Sequence, residues 1–538
     1  MSRFCASVLE RVFLFAKNAY LLHKQKSETQ SFRSSRIRIV SHMNERRKNM
    51  STLSREQIVE ELIHILGADQ VITDETVLKE SSLDRYRKFE QCHKVYTLPI
   101  PAAVIYVHNT DEVAQVLKFA DDNKINVVPR TGQSAIEGGL ETLVENSIVI
   151  DGSTMNKVLK VDTTNMQVTC QCGVPLQKLD DDLRTMGYTT GHSPQSKPLA
   201  QMGGLVATRS IGQFSTLYGG IEDMLVGCEV VFPGGKVCRI KNVPRRSVGP
   251  DIRNIVLGNE GALCFITEVT VKIFKYQPEN NIYLGYKVDQ MKTGFEGLRR
   301  VMVEGYKPSV ARLYDVADSA SHFSWADGKN VLLFMAEGPA SITKVTAAGI
   351  DAIVKELPGI TPVDPMLIEK WFAHLNWGPE EIAKEREEIL ATDNIGITTE
   401  ISGCWDVIND IYEAVMERLP KEVPDLTMIG GHSSHSYING TNVYFTYYYN
   451  VVDCKPEEEM NKYHNLINRI ICEETVRFGG SIAHHHGLGK ARAHYVYEEY
   501  GSSIYMLETL KKAFDPNGIM NKGTLIPVNR NEENPWIF

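Results

Sequence analysis

Apolar residues recur along this chain at two spacings, three-to-four and two, and the changes between them mark its elements. Ile58, Leu62, Ile65 and Leu66 share one helical face. Ser54 and Gln57 form a capping box in front of that face, and Gly67 stops the helix behind it. Residues 97–108 read as extended. Thr110 caps a second helix with Val113, Val116, Leu117 and Ala120 on its buried side. Short strands follow at 125–128, 147–151 and 168–172. Pro175 suits the first position of a helix carrying Leu176, Leu179 and Leu183, which ends at Gly187. Residues 226–240 read as a hairpin around Pro233-Gly234-Gly235. Val269, Val271 and Ile273 then alternate with Thr270, Lys272 and Phe274. From Asn280 onward strands, such as 331–335 and 443–449, alternate with amphipathic helices, and Asp515-Pro516-Asn517-Gly518 is a turn.

This order predicts an α+β protein of more than one domain. Residues 1–50 form a basic leader, 51–94 an N-terminal helical segment, 95–276 a mixed α+β unit, 277–500 a second domain, and 501–538 a closing segment. Length and composition agree: 538 residues, 43% hydrophobic and 23% charged, are ordinary globular material. Charge is unevenly spread. The leader has eleven Lys/Arg and three acids, a charge of +8, so the net charge of −9 leaves −17 on the rest. An acidic body argues against nucleic acid as a partner. The Arg-rich leader reads as a disordered or over-extended start, with an organelle presequence as the alternative. Ten cysteines without a regular framework imply reduced thiols and a cytoplasmic setting. No apolar run reaches the roughly 20 residues a membrane span needs. Oligomeric state stays open between monomer and homodimer.

Three glycine-bearing stretches interrupt the first domain. The stretch 129–139, PRTGQSAIEGG, follows a strand, and its glycines let backbone N–H groups turn toward an anion. Residues 191–212, GHSPQSKPLAQMGGLVATRSIG, have too much Gly, Pro, Ser and Gln for a core element and suit a loop around a polar ligand. The third is GNEGALCFITEVTVKI at 258–273.

Together with GPDI at 249–252, HHHGLGK at 484–490 and DPNGI at 515–519, these stretches resemble the vanillyl-alcohol oxidase, or PCMH-type, FAD flavoproteins over about residues 54–527. Within that family the likeness is greatest to the alkyldihydroxyacetonephosphate synthases. The resemblance implies an FAD domain of two α+β subdomains and a cap domain of antiparallel sheet flanked by helices. It implies that Pro129, Arg130, Thr131, Gly132, Gln133, Ser134 and Ala135 cradle the FAD pyrophosphate. Gln195, Ser196, Gln201, Gly203 and Gly204 would line the cofactor, Thr208, Arg209, Ser210 and Ile211 would approach the flavin, and Glu260, Gly261, Ala262, Leu263 and Ile266 would take the adenine side. Some members tether FAD through a His or Cys in the first glycine turn; 129–139 has neither, so FAD is expected to be noncovalent, with His192 the nearest other candidate.

The resemblance also points to Tyr444, to His484, His485 and His486, and to Arg386 as the catalytic set. Histidine titrates where proton transfer needs it. Adjacent histidines on an extended chain face opposite sides, so His484 and His486 are the pair expected to converge. Arg386 lies where the synthases hold their substrate phosphate, and its fork suits an anionic group. The metal trio of the family's 2-hydroxyacid dehydrogenases is broken, with Tyr444 and His485 at two of its positions, so no catalytic metal is expected. The synthases carry a longer, partly apolar insertion where this chain has only the short polar segment 316–330. A long alkyl chain needs apolar lining worth about 0.8 kcal/mol per buried CH₂. The reading is therefore an FAD-dependent oxidoreductase taking hydride from a small, polar, anionic alcohol or hydroxy acid, with an electron acceptor the sequence does not name. The alternative is a synthase-like transferase without net redox change.

Overall fold

The computed structural model describes residues 53–529 apart from residue 374. The expected leader at 1–50 lies outside them. Helix α1 (Arg55–Leu66) has both halves of its capping box, buries Ile58 and Leu62, and ends at Gly67 with φ +103°. Strand β1 (Val71–Ile72) follows, then the short helix α2 (Lys88–His93) and β2 (Ala103–Tyr106). Only these four residues of the extended stretch are strand. Helix α3 (Thr110–Asp122) is capped by Asn109, whose side chain accepts from the Glu112 N–H; the Thr110 hydroxyl donates instead to Glu229. Its predicted apolar face is fully buried. Strands β3 (Val127–Arg130) and β4 (Ile148–Asp151) complete a four-stranded sheet in the order β1-β2-β4-β3, with β2, β4 and β3 parallel.

A five-stranded antiparallel sheet comes next. Strands β5 (Val158–Asp162) and β6 (Gln167–Gln171) lead to helix α4 (Leu176–Thr185), where Pro175 is the cap rather than the first residue. Helix α5 (Met202–Ala207), the hairpin β7 (Leu225–Phe232) and β8 (Lys236–Arg239), and β9 (Phe265–Lys272) complete it in the order β5-β6-β9-β7-β8.

The third sheet has seven antiparallel strands. They are β10 (Ile282–Val288), β11 (Val310–Tyr314), β12 (Asn330–Ala336), β13 (Ile360–Pro362), β14 (Asn394–Cys404), β15 (Leu426–Ser433) and β16 (Gly440–Asn450), in the order β13-β10-β12-β11-β15-β16-β14. Helices α6 (Met291–Val303), α7 (Val316–His322), α8 (Ala340–Lys355), α9 (Pro379–Thr392), α10 (Ile408–Glu422) and α11 (Asn465–Arg477) connect or follow these strands. Strand periodicity sorts β16. Val443, Phe445, Tyr447 and Tyr449 join a core with apolar residues of α6, α8, α10 and α11. Tyr444, Thr446 and Tyr448 point the other way, into a cavity. After helix α12 (Ile504–Phe514), the turn at Gly518 returns the chain to β3, where the Val127 N–H donates to Ile519 and the Asn521 N–H to Val127. Among the described residues no helix is long and apolar enough to cross a membrane.

Candidate active site

The glycine turn leaves β3 with Arg130 anchored: its Nε donates to Asp151 at 2.7 Å and its Nη1 to Ser81 at 2.8 Å. Gly132 is required by close approach, because a Cβ there would run into the Leu199 carbonyl. Among the described residues the N–H groups of Gly132, Gln133, Ser134, Ala135 and Ile136 donate to no acceptor. Gln133 adopts φ +53°. Such a run of free donors is a concave anion site. The loop carrying Gln195 and Ser196 and helix α5 form the next wall, where a Cβ on Gly203 would strike Cys172. Glu260 and Gly261, at φ +47° and +73°, close the third side.

One cavity of about 430 Å³ collects these walls and the open face of the seven-stranded sheet. Of the residues expected to hold the cofactor, Pro129 through Ala135, Gln195, Ser196, Gln201, Gly203, Gly204, Thr208, Ser210, Ile211, Glu260, Gly261 and Ile266 line it. Arg209, Ala262 and Leu263 do not. Arg209 turns outward, 57% exposed, to an ion pair with Glu222, and Ala262 and Leu263 are packed behind the wall. Gln201 Oε1 and Gln213 Nε2 face the cavity buried and unpartnered. Each such atom costs about 1–3 kcal/mol until something takes its hydrogen bond. Free backbone donors at one end and unsatisfied amides along the wall fit a long polar ligand with a pyrophosphate, as the FAD implied by the resemblance is. His192 is buried against Ser210, 3.2 Å from its hydroxyl, and does not line the cavity.

At the far end stands Tyr444. Its hydroxyl hydrogen-bonds His485 Nε2 and lies 3.4 Å from His486 Nε2. His484 does not reach the cavity; its Nδ1 meets His485 Nδ1 at 2.8 Å and its Nε2 meets the Tyr437 hydroxyl at 2.8 Å. The converging pair is thus His485 and His486, not His484 and His486. The reason is that the backbone here is not extended. The N–H groups of residues 484, 485 and 486 all curl onto the carboxylate of Glu400, at 2.5, 3.4 and 2.8 Å. Burial alone would raise that carboxyl; Arg492 and the three histidines hold it down at about 2. Arg492, fully buried, also donates to Glu137 at 2.6 Å. Burial pushes His484 and His485 down to about 3 and His486 to about 4, so all three rings are neutral near pH 7. Burial likewise raises Tyr444 well above its usual value and keeps it a phenol.

Cross-strand register builds the rest of this end. Tyr314, His432 and Tyr444 sit opposite one another on β11, β15 and β16. Their rings stack at 5.0 and 4.6 Å. His432 Nδ1 donates to Asp318 at 2.5 Å. Two residues before Tyr314, on the same face, Arg312 lies 5.1 Å over the tyrosine ring and 5.5 Å over Trp371. Arg312 is 8% exposed, lines the cavity, and makes no ion pair among the described residues; its Nε is buried without a partner. Arg386, by contrast, is exposed on α9 and does not line the cavity. Its neighbour Glu385 does, and the 100° step of a helix turns Arg386 away. Glu137, Glu400 and Tyr437 are further site residues the sequence did not single out. Arg312 carried a readable signal, two positions from Tyr314 in an alternating strand; the others depend on contacts across tens or hundreds of residues.

The chain matches two family descriptions, "FAD binding domain" over residues 101–241 and "FAD linked oxidases, C-terminal domain" over 277–525. It is 64% identical over 483 residues to the uncharacterized FAD-linked oxidoreductase YgcU of Escherichia coli K12, covering 89% of this chain and all of that one. It is 27% identical to the alkyldihydroxyacetonephosphate synthase of Caenorhabditis elegans over 80% of this chain and 76% of that one. It is 23% identical to the mitochondrial D-lactate dehydrogenase [cytochrome] 1 of Saccharomyces cerevisiae over 97% and 89%.

Proposed function

The chain belongs to the FAD-linked oxidoreductases, and we propose that it oxidises a small hydroxy acid, or a polar alcohol with an anionic group beside the carbinol. FAD, when bound, supplies the hydride acceptor. The single observation that carries the reading is Arg312, a buried and unpaired cation in the same cavity as the Tyr444 hydroxyl and its two neutral histidines. A buried guanidinium without a counter-charge calls for an anion from the ligand. Arg312 would seat the carboxylate, and Tyr444 would take the hydroxyl proton and pass it to His485. Gln201 and Gln213 would hold the cofactor with the N–H groups of the glycine turn. Without His or Cys in that turn, the cofactor is read as noncovalent.

The lactate dehydrogenase relative supports a hydroxy acid. The synthase relative favours a second reading, transfer of an alkyl group without net redox change. The short polar segment carrying Ser321 and His322 into the cavity offers an alkyl chain little lining and weighs against it. The test is anaerobic: holoenzyme is mixed with D-lactate, glycolate, longer hydroxy acids and polyols while flavin absorbance is followed. Bleaching by a hydroxy acid supports oxidation, and return of colour in air marks an oxidase. Absence of bleaching by the whole panel, with exchange of a long-chain alcohol into acyl-dihydroxyacetone phosphate, would replace it with the second reading.

A further inference from the structure

His484 is the member of the histidine tract that the chemistry above leaves without a task. It does not touch the cavity, yet it is bonded at both ring nitrogens. Followed outward from Tyr444, the hydrogen bonds are continuous. The Tyr444 hydroxyl meets His485 Nε2, His485 Nδ1 meets His484 Nδ1 at 2.8 Å, and His484 Nε2 meets the Tyr437 hydroxyl at 2.8 Å. Tyr437 is half-buried, in the connection between β15 and β16, and stands outside the cavity wall. Its charged neighbours are Glu222, Asp223, Arg209 and Glu400, of which Arg209 is 57% exposed.

We infer that Tyr444, His485, His484 and Tyr437 form a proton-conducting chain that carries the substrate's hydroxyl proton from the cavity to the protein surface. The inference rests on the alcohol oxidation proposed above. One orientation of donors satisfies every link. Tyr444 O–H donates to His485 Nε2, His485 Nδ1–H to His484 Nδ1, His484 Nε2–H to Tyr437, and Tyr437 O–H to water. In the step itself the substrate O–H bond breaks and its proton replaces the one Tyr444 gives to His485. Each ring passes its own N–H proton outward, Tyr437 releases one proton to solvent, and the carbinol C–H bond leaves as hydride to the cofactor, giving the carbonyl.

Neutral rings are what such a chain needs, since each then offers one N–H and one lone pair. Burial keeps His484 and His485 in that form at neutral pH. His435 stacks on His484 at 5.3 Å and meets His485 edge-on at 5.0 Å, holding both rings in place. The other branch from Tyr444 ends inside. His486 Nδ1 has no hydrogen bond and stands 3.5 Å from both Glu137 and Glu400, which are tied to the fully buried Arg492.

The experiment breaks the chain at two joints away from the cavity, Tyr437→Phe and His484→Gln, in holoenzyme with FAD content checked by absorbance. Anaerobic flavin bleaching by whichever hydroxy acid of the panel is active should slow by about tenfold or more, toward the 10²–10⁴-fold cost of losing a general acid–base group. The substrate concentration for half-saturation should not move. Added imidazole should restore the rate in both variants and leave wild type unchanged. Wild-type rates in either variant, or slowed rates that imidazole does not restore, would overturn the inference. If no panel member bleaches wild type, the oxidation reading fails separately. The chain is then tested by reducing the flavin with reduced methyl viologen, a one-electron donor that releases no proton of its own, and following proton uptake with a pH indicator. Slower uptake in both variants supports it, and uptake equal to wild type overturns it.

Discussion

Arg312 shows what one side chain decides. It is 8% exposed, with aromatic rings rather than carboxylates against it. Arg312→Lys keeps the charge but loses the planar fork and the ring stacking. It should raise the half-saturating concentration of an anionic substrate by about tenfold or more, roughly 1.4 kcal/mol of binding. The maximal bleaching rate should change little, because the carboxylate is held alike before and during reaction. Arg386→Lys should change neither. A titration of bleaching rate against substrate concentration separates the two, and an unshifted Arg312→Lys curve would remove Arg312 from the site. From the sequence only Arg386 was nominated to hold an anion. Counting along the chain chose Arg386, but a helix position one step from the cavity-facing Glu385 looks outward. The period-two pattern of β11 places Arg312 on the face of Tyr314, a relation visible in the sequence once the face is known to be open.

The elements that set the chemistry are one strand and one turn. Strand β16 was legible: alternation puts Tyr444 opposite the packed face of Val443 and Phe445. The histidine turn was not, because its shape comes from Glu400, 84 residues before His484, gathering three successive N–H groups. Glu400→Gln removes the charge that Arg492 and this turn share. Breaking a buried pair in this way should cost about 3–5 kcal/mol of stability. Urea unfolding reads it, and a loss below about 0.5 kcal/mol would show that the turn holds without the carboxylate. The same burial sets a pH dependence. A histidine base works in its neutral form, and burial lowers His485 to about 3 and His486 to about 4. The bleaching rate should therefore stay level from pH 8 down to about 5 and fall only below about 4, toward the value of His485. A rate half lost near pH 6.5, the value of a free histidine, would mean that the rings are not desolvated in the holoenzyme.

At the scale of the molecule, three sheets meet around one cavity. The four-stranded sheet delivers the glycine turn at the end of β3, the five-stranded sheet backs the second and third glycine walls, and the seven-stranded sheet offers the face that carries Tyr444, Thr446 and Tyr448. Helix and strand periodicity foretold the buried faces of α1, α3 and α4 and most strands of the first domain within a few residues, but only β12 and β16 of the seven-stranded sheet. Periodicity does not reveal how sheets face one another, so the sequence could nominate Pro129 through Ala135 and Tyr444 without showing that they share a wall. The returning segment at Asn521 is part of that closure: its amide donates to the carbonyls of Gly139 and Glu260, joining two of the glycine walls. The most direct test of hydroxy-acid oxidation at Tyr444 is the anaerobic bleaching rate of wild type against Tyr444→Phe, each loaded with FAD. The wild-type flavin should bleach with at least one small hydroxy acid, and the variant should keep its FAD while bleaching about 10²–10⁴-fold more slowly. A flavin that no hydroxy acid or polar alcohol bleaches, or a variant as fast as wild type, would contradict it.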